Sequence, residues 1–328
     1  MKALVTGGGG FLGGAIVKAL LERGDKVKTI QRGDYPFLQE LGVEVYKGDL
    51  TRFEDINEAV KNCDVVFHVA AKAGVWGDYD DYYQANVVAT KNVIEACRNN
   101  NVANLVYTST PSVVFDGSNE EGINETTPYS KKFFNAYQKT KAEAEQQVIS
   151  ANSASLKTVS LRPHLIWGPG DNHLAPRVIS RAKAQRLKLV GNKDYKVDSC
   201  YIDNAANAHI LAADELMSDG KCAGKSYFIS NDEAISMKAL LNKILSAADL
   251  PEVNKSVPES VAYCVGALLE IVYKGFNIKA EPIMTRFVAK QLATAHWFDL
   301  TAAKQDFDYK VLVSIDEGME YLKQSLKT

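Results

Sequence analysis

Six glycines fall within nine positions of the stretch Thr6-Gly7-Gly8-Gly9-Gly10-Phe11-Leu12-Gly13-Gly14. This glycine run limits what the chain can fold into more tightly than any other feature. It comes after a short apolar run, Ala3 to Thr6, and leads into a segment of helical period, Gly14 to Glu22. A strand that ends in a glycine turn and passes straight into a helix sets that helix's unpaired N–H groups and partial positive charge at the end of a sheet. A pyrophosphate fits such a position. Gly7 permits the tight turn, Gly10 the close approach of phosphate, and Gly13 the packing of helix on strand. The spacing is TGxxGxxG, one residue longer between its first two functional glycines than GxGxxG. Its place between a first strand and an amphipathic helix favours a dinucleotide site over a merely flexible loop.

The pattern then repeats. Apolar runs of strand length lie at Lys26 to Ile30, Val43 to Tyr46, Val65 to Val69, Leu105 to Thr108 and Thr158 to Leu161. Helical-period segments at Phe53 to Lys61, Tyr79 to Arg98 and Asn135 to Ser150 separate several of them. Strand–helix alternation of this kind predicts an α/β fold: a Rossmann-type, doubly wound parallel sheet with helices on both faces. After about Arg162 the pattern loosens into prolines, helices and short strands. The expected division is a dinucleotide-binding domain over residues 1–165, with strands continuing into segments near 197–230, and a smaller mixed α/β substrate cap over 166–328.

Composition narrows the partners. Among 328 residues, 38 Lys and Arg are balanced by 40 Asp and Glu for a net charge of -2, so no basic stripe points to nucleic acid. The five cysteines are scattered and never spaced CxxC, which signals buried thiols and neither a disulfide framework nor a metal site. With Met1 and Lys2 alone ahead of the first apolar run, there is no room for a signal peptide, and the expected address is cytoplasmic.

Tyr137 and Lys141 stand four apart on a predicted helix and therefore share a face. A nearby ammonium favours phenolate, so this spacing suits a tyrosine that exchanges a proton with a substrate oxygen. Thr110, just past a strand end, supplies a hydroxyl for the same oxygen, with Ser109 and Ser112 as rivals.

Several motifs together carry a family resemblance. They are TGxxGxxG, Asp49-Leu50, His68-Val69-Ala70-Ala71, Asn86-Val87 with Thr90-Lys91-Asn92-Val93, Thr108-Ser109-Thr110, Tyr137-xxx-Lys141 and Arg162-Pro163-His164-Leu165-Ile166-Trp167-Gly168-Pro169-Gly170-Asp171. Over essentially its whole length the chain resembles the extended short-chain dehydrogenase/reductases. Within them it is most similar to the 3β-hydroxysteroid dehydrogenase branch, which also holds sterol-4-carboxylate dehydrogenases and bacterial 2-alkyl-3-oxoalkanoate reductases. The resemblance implies Tyr137 as general acid/base, Lys141 on the nicotinamide ribose and Thr110 orienting the carbonyl. It further implies Gly7, Gly10, Phe11 and Leu12 around the pyrophosphate, Asp49 and Leu50 at the adenine, Ala70 and Ala71 along the cofactor's middle, and Pro163 and His164 near the nicotinamide.

At the end of the second strand the chain reads Thr29-Ile30-Gln31-Arg32-Gly33. It lacks the acid that would take a ribose 2′-OH and offers a guanidinium suited to a 2′-phosphate, so NADP(H) is expected over NAD(H). The segment Val261 to Tyr273 is apolar apart from Gly266 and Glu270, yet shorter than the roughly twenty residues a membrane span needs. With Val75, Trp76, Tyr82 and Tyr83 it is expected to line an apolar pocket. The implied substrate is a bulky hydrophobic secondary alcohol or β-keto acid, sterol-like or long-chain. Weak membrane association and a homodimer are compatible with this reading. A nucleotide-sugar 4-epimerase and a non-catalytic cofactor sensor are the alternatives.

Overall fold

The computed structural model describes residues 1–327. Seven parallel strands form the central sheet: β1 Lys2–Thr6, β2 Lys26–Gln31, β3 Glu44–Lys47, β4 Val65–His68, β5 Asn104–Thr108, β6 Lys157–Pro163 and β7 Lys225–Ile229. Their order across the sheet is β7-β6-β5-β4-β1-β2-β3. The order reverses between β1 and β4, and that switch point opens a crevice at the carboxyl ends of the strands. The six strands read from the sequence are all present within two residues of their expected ends. The seventh comes from the second half of the chain.

Burial alternates along β1. Ala3 and Val5 enter one apolar layer, with Ile16, Phe67 and Val159, while Leu4 enters the other, with Val66, Ile56 and Leu105. Both faces are covered, so β4 reads Val-Val-Phe-His with every residue buried, as expected for a central parallel strand. A smaller four-stranded mixed sheet is built from Glu120–Ile123, Lys196–Val197, Ile235–Ser236 and His296–Phe298. The fold is thus the expected Rossmann-like α/β architecture with a mixed C-terminal part.

Five helices frame the crevice and its surroundings: α1 Phe11–Glu22, α2 Ala136–Ser150, α3 Leu174–Lys183, α4 Ile202–Met217 and α5 Glu259–Gly275. The segment expected as one helix from Tyr79 to Arg98 instead contains a six-residue π-helical stretch, Tyr83–Val88. It presents Asn86 inward, where Oδ1 accepts from Lys72 N at 2.7 Å and Nδ2 donates to Lys72 O at 3.2 Å. The wide turn thereby ties down the loop after β4, and such stretches are frequent at functional sites.

α5 departs most from expectation. Its buried positions are Ala262 and Gly266, and a Cβ on Gly266 would come within 2.6 Å of the Thr285 carbonyl carbon. The helix therefore rests its smallest residues on the protein and turns Val261, Val265, Leu268, Ile271 and Val272 outward. Cys264 is also exposed there, while the other four cysteines are buried as expected. Among the described residues no helix is long and apolar enough to cross a membrane.

Candidate active site

A cleft of about 690 Å³ opens at the carboxyl ends of the strands, across the switch point. Gly7, Gly10, Phe11 and Leu12 line it from the first turn, and Asp49, Leu50, Ala70 and Ala71 from the loops after β3 and β4. Arg32, Thr110, Tyr137, Lys141 and Pro163 complete the set read from the sequence. Gly7 has φ +69°, a left-handed conformation that glycine adopts without strain. A Cβ on Gly13 would lie 2.2 Å from the Gly7 carbonyl oxygen, so the helix closes directly against the turn. The N-cap, Gly10, has no side chain to occupy the first N–H groups of α1.

His164 is not part of this cleft. It is buried beside His296 and Phe298 and lines a second cavity. Its place next to Pro163 in sequence concealed this, because successive residues of an extended segment point to opposite sides. Gln31, Tyr35, Thr51, His173 and Leu174 line the cleft without having been read from the sequence. Gln31 and Tyr35 flank Arg32 closely enough to have been found there; the segment around His173 carried no such signal.

Tyr137 and Thr110 line the same end of the cleft, with the Thr110 hydroxyl near the phenol. Burial raises the phenol above its ordinary pKa and the Thr110 hydroxyl pulls the other way, so at neutral pH Tyr137 carries its proton. Ser112 N donates to Thr110 Oγ1 at 3.2 Å and fixes that hydroxyl. Ser112 does not line the cleft, whereas Ser109 does. Lys141 Nζ donates to the Thr108 carbonyl oxygen at 2.6 Å and sits 4.2 Å from the centre of the Tyr107 ring. Burial pushes this ammonium down to about 7, with Glu145 opposing. The expected depression of the phenol by Lys141 is not found. Burial and Thr110 account for the Tyr137 shift, because Lys141 is turned to the end of β5.

A buried framework holds these groups. Thr90 Oγ1 donates to Asn86 O at 2.5 Å, so it accepts from His68 Nε2 at 3.0 Å. His68 Nδ1 then accepts from Thr6 Oγ1 at 2.9 Å, and that oxygen in turn accepts the amides of Val69 and Ala70. Burial holds this imidazole neutral, down to about 3, and Lys141 adds to the effect. On the other side Glu145, one helical turn beyond Lys141 on α2, binds Arg162 at 2.5 Å with both side chains buried. Thr108 is held by His209 of α4, whose Nε2 lies 2.8 Å from its hydroxyl.

At the end of β2 the charges are arranged for an anion. Arg32 is 79% exposed, with Asp49 3.9 Å away. Asp34 is drawn to Lys47 at 2.9 Å and does not line the cleft. The buried amide of Gln31, which lines the cleft, has no hydrogen-bond partner for either polar atom. A glycine cradle, an orphaned amide and an exposed guanidinium along one cleft fit a dinucleotide.

The second cavity, about 470 Å³, lies between α3, the Leu189–Val190 segment and the Met237–Ala247 helix. Leu165 and Leu174 line both it and the cleft. Its walls are largely apolar, with Arg177, Arg181, Lys188, Lys193 and Lys238 against the single carboxylate of Asp194. Of the expected substrate residues, Val75 lines it. Trp76 and Tyr82 line a separate cavity of about 100 Å³. Tyr82 is buried and donates to Trp76 O at 3.0 Å, bracing its own loop. Tyr83 lines neither cavity and tilts against Tyr79 at the surface. From the expected 261–273 wall, Glu270 alone reaches the small cavity and nothing reaches the large one.

The chain is 55% identical to the 2-alkyl-3-oxoalkanoate reductase of Shewanella oneidensis, over 99% of its own length and 86% of that protein. It is 35% identical to the decarboxylating sterol-4-alpha-carboxylate 3-dehydrogenase of Mus musculus, over 99% and 90%. A UDP-glucuronic acid 4-epimerase from Bacillus cereus, solved in complex with NAD, shares the fold at TM-score 0.78 and 20% identity, over 100% of this chain and 99% of that one. Residues 4–258 match the profile of a single family. With its glycine cradle, Thr110, Tyr137 and Lys141 set in one cleft, the chain belongs to the 3-beta hydroxysteroid dehydrogenase/isomerase family of oxidoreductases.

Proposed function

We propose that the chain is an NADP(H)-dependent reductase of bulky, hydrophobic 3-oxo acids. One observation carries this reading: the cleft that holds the Thr110 and Tyr137 hydroxyls shares Leu165 and Leu174 with a mainly apolar cavity rimmed by cations. A large apolar body with one anionic group fits such a cavity. The Shewanella and mouse relatives carry names for oxo-acid and sterol-carboxylate substrates, and they support the same class.

When bound, the nicotinamide supplies a hydride to the carbonyl carbon. The chain's own residues do the rest. Thr110 holds the carbonyl oxygen, and Tyr137, kept protonated by its burial, donates the phenolic proton to that oxygen as negative charge develops on it. Lys141 sits one helical turn from Tyr137 and gives the cleft a cation at the ribose position. Gly7, Gly10, Phe11, Leu12, Asp49, Leu50, Ala70 and Ala71 would seat the rest of the dinucleotide, with Arg32 on a 2′-phosphate. Lys47 neutralises Asp34, which lies outside the cleft.

The test is kcat/KM for NADPH and NADH across 3-oxo acids of increasing alkyl length, with UDP-sugars alongside. Each methylene that enters the cavity should add up to about 0.8 kcal/mol, roughly fourfold, until the space is full. A flat series, or a preference for UDP-sugars, overturns the reading.

A further inference from the structure

The carboxylate of a 3-oxo acid hangs from the carbon next to the reacting carbonyl. Whatever the length of the alkyl chain, that charge stays at the catalytic end, and taking it out of water calls for a cation beside it. The Lys and Arg side chains that line the cleft are engaged elsewhere. Arg32 stands at the end of β2, Lys141 donates to Thr108 O, and Lys72 is drawn outward to Asp81, whose side chain is 62% exposed.

Arg177 stands differently. On α3 it comes three residues after Leu174, which lines both cleft and cavity, or about 4.5 Å further along the helix, and it lines the cavity itself. Its Nη2 donates to Glu281 Oε1 at 2.7 Å. The Glu281 side chain is 31% exposed, half the figure for Asp81, and its other oxygen, Oε2, would lie 3.9 Å from a Cβ on Gly74. Gly74 falls between Ala73, which lines the cleft, and Val75, which lines the cavity. One of the protein's own carboxylates therefore sits on Arg177 where the two spaces adjoin. Arg181, one turn further along α3, also lines the cavity, and it donates to a carbonyl, Ile283 O, at 3.0 Å. Burial and the neighbouring Arg177 lower its pKa, with Glu281 opposing. Two guanidiniums thus stand around the single carboxylate of Glu281.

We propose that Arg177 receives the substrate's carboxylate, and that Glu281 holds that position in the empty protein and is displaced when the acid binds. The proposal rests on the 3-oxo acid reading and assigns the residue that reads the acid. A guanidinium and a carboxylate are matched for paired N–H···O bonds, and Arg181 keeps the site cationic while one carboxylate gives way to the other. Glu281 turns without its segment leaving, because the chain is held on both sides of it. Trp76 Nε1 donates to Ile278 O at 3.0 Å and Lys279 binds Asp78 on one side, and Arg181 holds Ile283 O on the other. A neutral ester has no charge for Arg177 and leaves Glu281 in place, so the site selects the free acid.

The experiment measures KM and kcat with NADPH for a 2-alkyl-3-oxo acid and for its methyl ester, in the wild type, Arg177→Met and Glu281→Gln. Circular dichroism and NADPH-binding fluorescence confirm the fold of each variant. Both substitutions break the same ion pair, so if that pair only braced the fold they would act alike, on acid and ester equally. The expected effects are opposite. Arg177→Met should raise KM for the acid roughly ten- to hundredfold, and Glu281→Gln, which removes the competing anion, should lower it by up to about fivefold. KM for the ester should hold in both variants, and kcat should change little, because neither residue touches the reacting carbonyl. An acid KM that Arg177→Met leaves unchanged, shifts of the same sign in the two variants, or turnover of the ester but not of the acid overturns the proposal while the reductase reading stands. Failure of the wild type to reduce either compound overturns the reductase reading, and this proposal with it.

Discussion

Tyr137 is half-buried and stands beside Thr110 in the cleft, while Lys141 is bound elsewhere, to Thr108 O. These facts separate the two residues' roles. Tyr137→Phe removes one oxygen and keeps the ring's packing, so NADPH affinity should persist while kcat falls roughly 10²- to 10⁴-fold; near-normal turnover would identify a different acid. Lys141 makes a second prediction, about pH. Its ammonium is lowered from 10.5 to about 7 by burial. Between those values the unfolded chain binds a proton that the folded chain does not, so its contribution to stability rises as pH increases. Lys141→Met should therefore stabilise the cofactor-free protein more at pH 6 than at pH 9, as read by urea unfolding. A pH-independent difference would show that Lys141 stays charged throughout. Arg32→Ala should lower the ratio of NADPH to NADH efficiency, because no other side chain at the end of β2 offers a guanidinium to a 2′-phosphate.

At the scale of elements, α2 carries Tyr137 and Lys141 together with their anchor, Glu145. Burial alone would raise the Glu145 carboxyl, but Arg162, with help from Ser109 and Tyr129, carries it below the ordinary range. A group with a depressed folded pKa contributes fully above its unfolded value and is lost as pH falls through the folded one, so this ion pair fails on the acid side. Glu145→Gln leaves Arg162 buried and unpaired and should cost about 3–5 kcal/mol. Urea unfolding at neutral pH would measure it, and a loss below about 1 kcal/mol would mean that water reaches Arg162. Pairing it with Arg162→Met should recover part of the loss. Turnover should fall in the single variant as well, because the same helix sets Tyr137 against Thr110.

At the scale of the whole molecule, the proposed reading puts chemistry and recognition in different parts of the chain. The cleft that holds the Thr110 and Tyr137 hydroxyls adjoins a cavity whose walls come from Val75 and from residues 164 to 296, and Leu165 and Leu174 line both. Leu174→Trp should narrow the way between them. Efficiency should then fall for long-chain 3-oxo acids while short ones are spared, measured as the slope of kcat/KM against chain length. An equal loss at every length would place the cavity outside the substrate's path.

The sequence by itself determined the half of the molecule that depends on near neighbours. A glycine turn between strand and helix, strand-length apolar runs and a Tyr–Lys pair one turn apart are local patterns, and local backbone geometry forces their meaning. The cleft, and the meeting of Thr110, Tyr137 and Lys141 within it, were legible for that reason. Tertiary structure decided what depends on partners far along the chain. Arg181 meets Ile283 across 102 residues and Trp76 meets Ile278 across 202; no periodicity encodes either contact. His164 faces the second cavity because Pro163, one residue earlier, faces the cleft, and sequence alone does not say which takes which side. α5 shows the limit most plainly. A helix apolar on nearly every side has no inward face written into it, and here Ala262 and Gly266 went to the protein because they alone allow its backbone so close to Thr285. The larger apolar residues were left on the surface.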